Sequence, residues 1–224
     1  MSGADYTLAH REMGKWASLA VSILVLAYVP TLVLGLLSLK NSQAAIGDPY
    51  FTILEILIVV MAPFMVLVMV AIHGYAPRDY KALSLAALAF MVLAAGITSL
   101  VHFIILTVSR PIAAAGVPDT SYFFSFTWPS VLYAADILAW DLFFALSMVL
   151  AAPVFREGGL ERRIRWAMLV SGTISFVGLA GIPFLSQTAV VRDVGVVGYA
   201  GVSLVTFPLL FQLFRRSKPV ARSA

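Results

Sequence analysis

The sequence contains no cysteine, which excludes disulfides, thiol redox chemistry, zinc–thiolate sites, iron–sulfur clusters and cysteine nucleophiles together. Charge is scarce: 12% of residues are Asp, Glu, Lys or Arg, against roughly a quarter in an ordinary soluble domain. Histidine occurs only at positions 10, 73 and 102, too few for the histidine-rich zinc sites of membrane hydrolases. No glycine-rich phosphate loop, low-complexity linker or strong internal repeat is visible. What fills the 224 residues is apolar side chain, at 61%, with a mean hydropathy of +0.97. A water-soluble fold of this size has no interior able to hide that much apolar surface. The class expected is an all-α, polytopic membrane protein.

A bilayer core about 30 Å thick needs about 20 apolar residues per helix. Segments of that length lie at 16–39, 51–75, 82–109, 128–155, 164–187 and 194–214. Irregular backbone cannot face lipid, so these stretches must be helices. The first is too long for a signal-peptide core and is expected to remain as a span.

Lys and Arg report the orientation. Arg11, Lys15, Arg78, Lys81, Arg156, Arg162, Arg163, Arg165, Arg215, Arg216, Lys218 and Arg222 fall on one side of a six-span arrangement. Lys40, Arg110 and Arg192 fall on the other. The positive-inside rule then predicts one domain over residues 1–224, a bundle of six transmembrane helices with N and C termini cytoplasmic in an inner membrane. The net charge of +4 sits at span ends, so the partner expected is the lipid bilayer and not nucleic acid. Trp16 and Trp166 fall at the inner interface, and Tyr50, Phe51 and Trp128 at the outer one. The loop from Arg110 to Thr127 carries Tyr122, Phe123, Phe124 and Phe126, either an interfacial belt or a lid over a pocket.

Ionisable residues inside a span are costly, at least about 2.5 kcal/mol for Asp near a helix centre, and therefore informative. The candidates are Glu55, His73, His102, Asp136 and Asp141. At about 1.5 Å per residue, Glu55, His102 and Asp136 lie roughly 6, 10 and 12 Å below the outer boundary. Asp141 lies about 7 Å deeper than Asp136 and about 140° around the helix from it. Both aspartates reach one cavity only if span four is central. His73 stands near the cytoplasmic end, where a headgroup or loop carbonyl is its expected partner.

Thr98 and Ser99 precede His102 by one turn, and Tyr133 and Trp140 flank Asp136 on its face. The expected outer-half cluster is thus Glu55, Thr98, Ser99, His102, Tyr133, Asp136 and Trp140, with Asp141 as its floor. Shallow Glu55 alternatively snorkels to the interface. A mixed site of His102, Glu55 and Asp136 is geometrically open to a metal, but no metal or cofactor is expected. Retinal is excluded because span six has no lysine, and bis-histidine haem because His73 and His102 lie at opposite depths. Gly172, Gly178, Gly181, Gly195, Gly198 and Gly201 point to close packing of spans five and six.

The stretch Ala139-Trp140-Asp141-Leu142-Phe143-Phe144-Ala145-Leu146 resembles the acid-bearing, aromatic-rich spans of integral membrane terpene cyclases. The resemblance covers eight residues and implies a proton donor at Asp141, with Trp140 beside it to favour a cationic intermediate. That family is usually counted with seven spans, against six here.

The leading expectation is an intramembrane acid/base enzyme acting on a lipidic or isoprenoid-like small molecule. Asp141 or Asp136 would donate the proton, His102 and Glu55 would tune or relay it, and Tyr133, Trp140, Thr98 and Ser99 would line the ligand site. The alternatives are a proton-coupled transporter or solute-binding subunit of a larger transporter, and a structural subunit. Each implies a different use of the same polar residues.

Overall fold

The computed structural model describes residues 6–39, 46–126, 128–184 and 194–219, and its regular secondary structure is helical throughout these residues. The long helices are α1 (Leu8–Leu37), α2 (Tyr50–Tyr75), α3 (Arg78–Ala114), α4 (Val131–Val154), α5 (Gly158–Phe184) and α6 (Val194–Arg216). Among the described residues, α1, α2, α3, α4 and α6 are long and apolar enough to cross a membrane.

Several helices outrun the apolar segments read from the sequence. Helix α1 begins two turns before residue 16 because Thr7 caps it: the His10 backbone N–H donates to the Thr7 hydroxyl, and the Thr7 N–H to the His10 ring. Helix α5 starts at Gly158, so its first turns carry Glu161, Arg162, Arg163 and Arg165. A helix continues while its backbone hydrogen bonds and caps allow, whereas hydropathy marks only the part matched to lipid. Lys40, Arg192 and Arg222, three of the cations used for the orientation, lie outside the described residues.

Consecutive helices pack as neighbours, and α6 returns to α1, closing the bundle into a ring in chain order. Helix α1 shows why lipid suits the outside. Its buried residues (Gly14, Ala17, Ser18, Val21 and Val25) follow one narrow helical stripe. Ile23, Leu26, Val33, Leu34, Leu36 and Leu37 point outward and are exposed. A helix apolar all round needs an apolar surrounding on every side.

One end of the bundle is closed by an aromatic knot. The Tyr6 and Tyr75 rings meet edge to face with centroids 5.3 Å apart, and Tyr75 also contacts Phe155 and Phe214. The Tyr75 hydroxyl donates to Glu161 Oε1 at 2.5 Å, while Glu161 Oε2 accepts the backbone N–H groups of Arg156 and Glu157. Tyr6 shares a 2.6 Å hydrogen bond with Ser217, and burial pushes its phenol pKa up.

Helices α5 and α6 are drawn together by small residues, as the glycine spacing suggests. A Cβ on Gly178 would lie 2.8 Å from the Gly195 Cα, and one on Gly198 2.6 Å from the Ser175 nitrogen. The Ser171 hydroxyl donates to the Gly198 carbonyl at 2.7 Å across the same contact.

Among the described residues three stretches are π-helical: Ile105–Ser109 in α3, Leu138–Phe144 in α4 and Val197–Gly201 in α6. Such widened turns shift the angular phase of every later side chain and occur often at functional sites.

Candidate functional site

The structure joins the polar residues of α2, α3 and α4. Glu55, His102 and Asp136 are 3%, 4% and 5% exposed, so none snorkels to solvent and shallow Glu55 is drawn inward. His102 Nδ1 lies 2.7 Å from Glu55 Oε2, in a hydrogen bond that fixes the ring. On the other side of the ring, His102 Nε2 lies 3.3 Å from Asp136 Oδ1. That contact is within ion-pair range but misaligned, and Nε2 makes no hydrogen bond among the described residues. Thr98, one turn before His102 on the same face of α3, donates its hydroxyl to Asp136 Oδ1 at 3.4 Å.

The order is serial: carboxylate, imidazole, carboxylate. The acids face opposite nitrogens of one ring and do not converge on a common point, so the mixed metal site left open by the sequence lacks its geometry. Among the described residues no group of His, Asp and Glu is arranged to hold a metal ion. A His flanked by acids is instead suited to moving a proton, with one partner orienting the ring while the opposite nitrogen exchanges.

A cavity of about 40 Å³ opens beside this centre. His102 and Asp136 form its polar edge, with Trp140 from α4 and Tyr199, Ala200 and Ser203 from α6 alongside. Val25 and Tyr28 of α1, Ile58, Met61 and Met65 of α2, and Phe207 of α6 form the apolar remainder. At about 10–15 Å³ per water, the space admits roughly three waters or one small polar head. The unbranched Met61 and Met65 side chains can re-pack to enlarge it. Trp140, Tyr199 and Ala200 all belong to π-helical turns, and His102 lies three residues before another. Trp140 stacks on Tyr199 with centroids 4.9 Å apart.

The aromatic loop between α3 and α4 contributes a cap without being one as a whole. Phe126 sits over the His102 ring, centroids 5.2 Å apart, and meets Tyr133 edge to face. Tyr122, Phe123 and Trp128 are about half exposed, as interfacial residues are. Thr127 lies outside the described residues. Nearby, Arg110 donates to Asp48 Oδ1 at 2.6 Å and to Thr52 Oγ1 at 2.8 Å, tying α3 to the start of α2.

Other expected members fall elsewhere. Asp141 is not the floor of the cluster: its carboxylate lies against Gly178 of α5 and Gly195 of α6, where a Cβ on Gly195 would stand 2.7 Å from Oδ1. Trp140 borders the cavity and Asp141 does not, which separates the pair that the cyclase resemblance would use together. Ser99 is half-buried and takes no part in the Glu55–His102–Asp136 contacts. His73 meets Ser84 Oγ at 2.9 Å near the other end of the bundle. Tyr199, Ser203 and Phe207 were missed from sequence, although Tyr199 and Ser203 recur one turn apart in a glycine-rich span.

Compared with family models, curated proteins and solved structures, the chain matches none of them, so its function has to be argued from this centre alone.

Proposed function

We propose that the chain is a six-span inner-membrane protein with cytoplasmic termini, acting as an intramembrane acid/base enzyme on a lipidic or isoprenoid-like small molecule. The observation that carries this reading is His102, held by Glu55 through Nδ1, with Nε2 3.3 Å from Asp136 Oδ1, in a cavity that both His102 and Asp136 line. In this scheme His102 exchanges the proton at Nε2. Glu55 is a positioning residue that fixes the ring and balances the imidazolium formed when the proton is taken up. Asp136 supplies a second carboxylate at the substrate's polar group, and Trp140 shapes the adjacent wall.

The cavity's composition supports an amphipathic substrate, with its head at His102 and Asp136 and its tail toward Met61, Met65 and Phe207. The aromatic knot around Tyr75 supports one-sided access, because it closes the opposite end. A transporter would need a path through that knot. A solute-binding subunit of a larger transporter remains the second reading, favoured by the number of helices that border the cavity.

The test is to incubate the purified protein with a total bacterial lipid extract in deuterated water and profile the lipids by mass spectrometry. A lipid or isoprenoid species that gains deuterium or changes structure with the wild type, and not with His102→Gln, is the expected result. Identical profiles from two equally folded proteins would overturn the enzyme reading.

A further inference from the structure

Resting on the reading of this cavity as the substrate site, we infer that its polar end recognises a positively charged head group, an ammonium carried by a small amphiphile. The local charge points that way first. With both carboxylates ionised, the Glu55–His102–Asp136 trio carries two negative charges when the ring is neutral and one when it is protonated. Either state repels a phosphate or carboxylate head and attracts a cation.

Hydrogen bonding points to the same class. His102 Nε2 and Asp136 Oδ1 stand 3.3 Å apart at the cavity edge, and Nε2 makes no hydrogen bond among the described residues. The ring is buried, so an unmet nitrogen there is costly until something in the cavity satisfies it. An ammonium N–H donates to the Asp136 carboxylate, and its charge lies against the imidazole and the aromatic wall. That wall is Trp140 stacked on Tyr199, with Phe207 beyond. Indole and phenol rings are the side chains that best accommodate an organic cation. The volume fits a compact head and not a bulky one, since about 40 Å³ admits only a few heavy atoms before Met61 and Met65 move.

The remaining tryptophans, Trp16, Trp128 and Trp166, are all exposed, so Trp140 can be isolated as a reporter. The full-length protein carrying Trp16→Phe, Trp128→Phe and Trp166→Phe is titrated with ethanolamine and, separately, with its uncharged carbon isostere 1-propanol, following Trp140 emission. Ethanolamine is expected to shift the emission saturably and at least about tenfold more tightly than the isostere. Asp136→Asn is expected to remove most of that preference while leaving the weak binding of the alcohol. Equal affinities for the two probes would overturn the cationic assignment and leave the cavity as a ligand site for neutral molecules. A flat titration with both would overturn it as well, while the deuterium-labelled lipid profile would still decide the acid/base reading independently.

Discussion

Glu55, His102 and Asp136 place three ionisable groups in the interior of an apolar bundle, where each alone would be strongly destabilising. Their mutual contacts offset that cost, so removing one member should expose the others. Glu55→Ala is expected to destabilise the protein by about 3–5 kcal/mol, because a buried group loses its partner. Glu55→Gln keeps a hydrogen bond to the ring and should lose about 1 kcal/mol. Chemical denaturation in mild detergent separates the two, and equal losses would contradict the view that a neutral hydrogen bond replaces most of what the carboxylate contributes. Asp48 gives a contrasting case on the exposed surface before α2. The Thr52 hydroxyl and the Arg110 guanidinium hold its carboxyl pKa below the usual carboxylate range. A depressed folded-state pKa contributes stability that is fully present above the unfolded value, near 3.9, and is lost as pH falls through the folded one. The stability difference between wild type and Asp48→Asn should therefore be present at about pH 6 and shrink as pH falls below the unfolded value. At this scale the sequence was informative about which residues are costly, since depth arithmetic put Glu55, His102 and Asp136 in one layer. It could not say that Asp141 meets α5 and α6 and not that layer's cavity, because the phase of one helix does not name the helices packed around it.

The helices α5 and α6 meet through backbone, and the meeting depends on the absence of two side chains. A methyl group on Gly178 would strike the Gly195 backbone, whereas one on Gly96 would enter open space. Gly178→Ala should cost about 1–3 kcal/mol as an overpacked contact, and Gly96→Ala should be neutral or slightly stabilising through helix propensity. Thermal unfolding in detergent reads both, and an unchanged midpoint for Gly178→Ala would contradict the close approach. The same contact explains where Asp141 sits, since only glycine on both neighbours leaves room for its carboxylate. Glycine spacing in the sequence announced that α5 and α6 approach closely. It did not announce that an acid from α4 fills the space beside them, because one helix's periodicity carries no information about a third helix.

The whole molecule is a ring of six long helices with an aromatic knot at one end and the Glu55–His102–Asp136 centre toward the other. Hydropathy alone gave the helical class and the order of the long helices, since lipid demands long apolar runs, and among the described residues five of the six segments fall in helices long and apolar enough to cross a membrane. Their ends were less legible: caps such as Thr7 and the charged first turn of α5 extend helices beyond the hydrophobic segment. The proposed orientation is open to a clean test because the chain has no cysteine of its own. A membrane-impermeant maleimide applied to intact spheroplasts should label Val117→Cys, in the outer loop, and spare Glu157→Cys, between α4 and α5. The reverse pattern would invert the bundle. The central claim, a ligand site at Asp136 and His102 from which Asp141 is excluded, is tested most directly by native mass spectrometry of the purified protein. Wild type, Asp136→Asn and Asp141→Asn are compared after release from detergent. A small co-purifying molecule is expected on wild type and on folded Asp141→Asn, with its loss from folded Asp136→Asn. Loss with Asp141→Asn and retention with Asp136→Asn would contradict the claim.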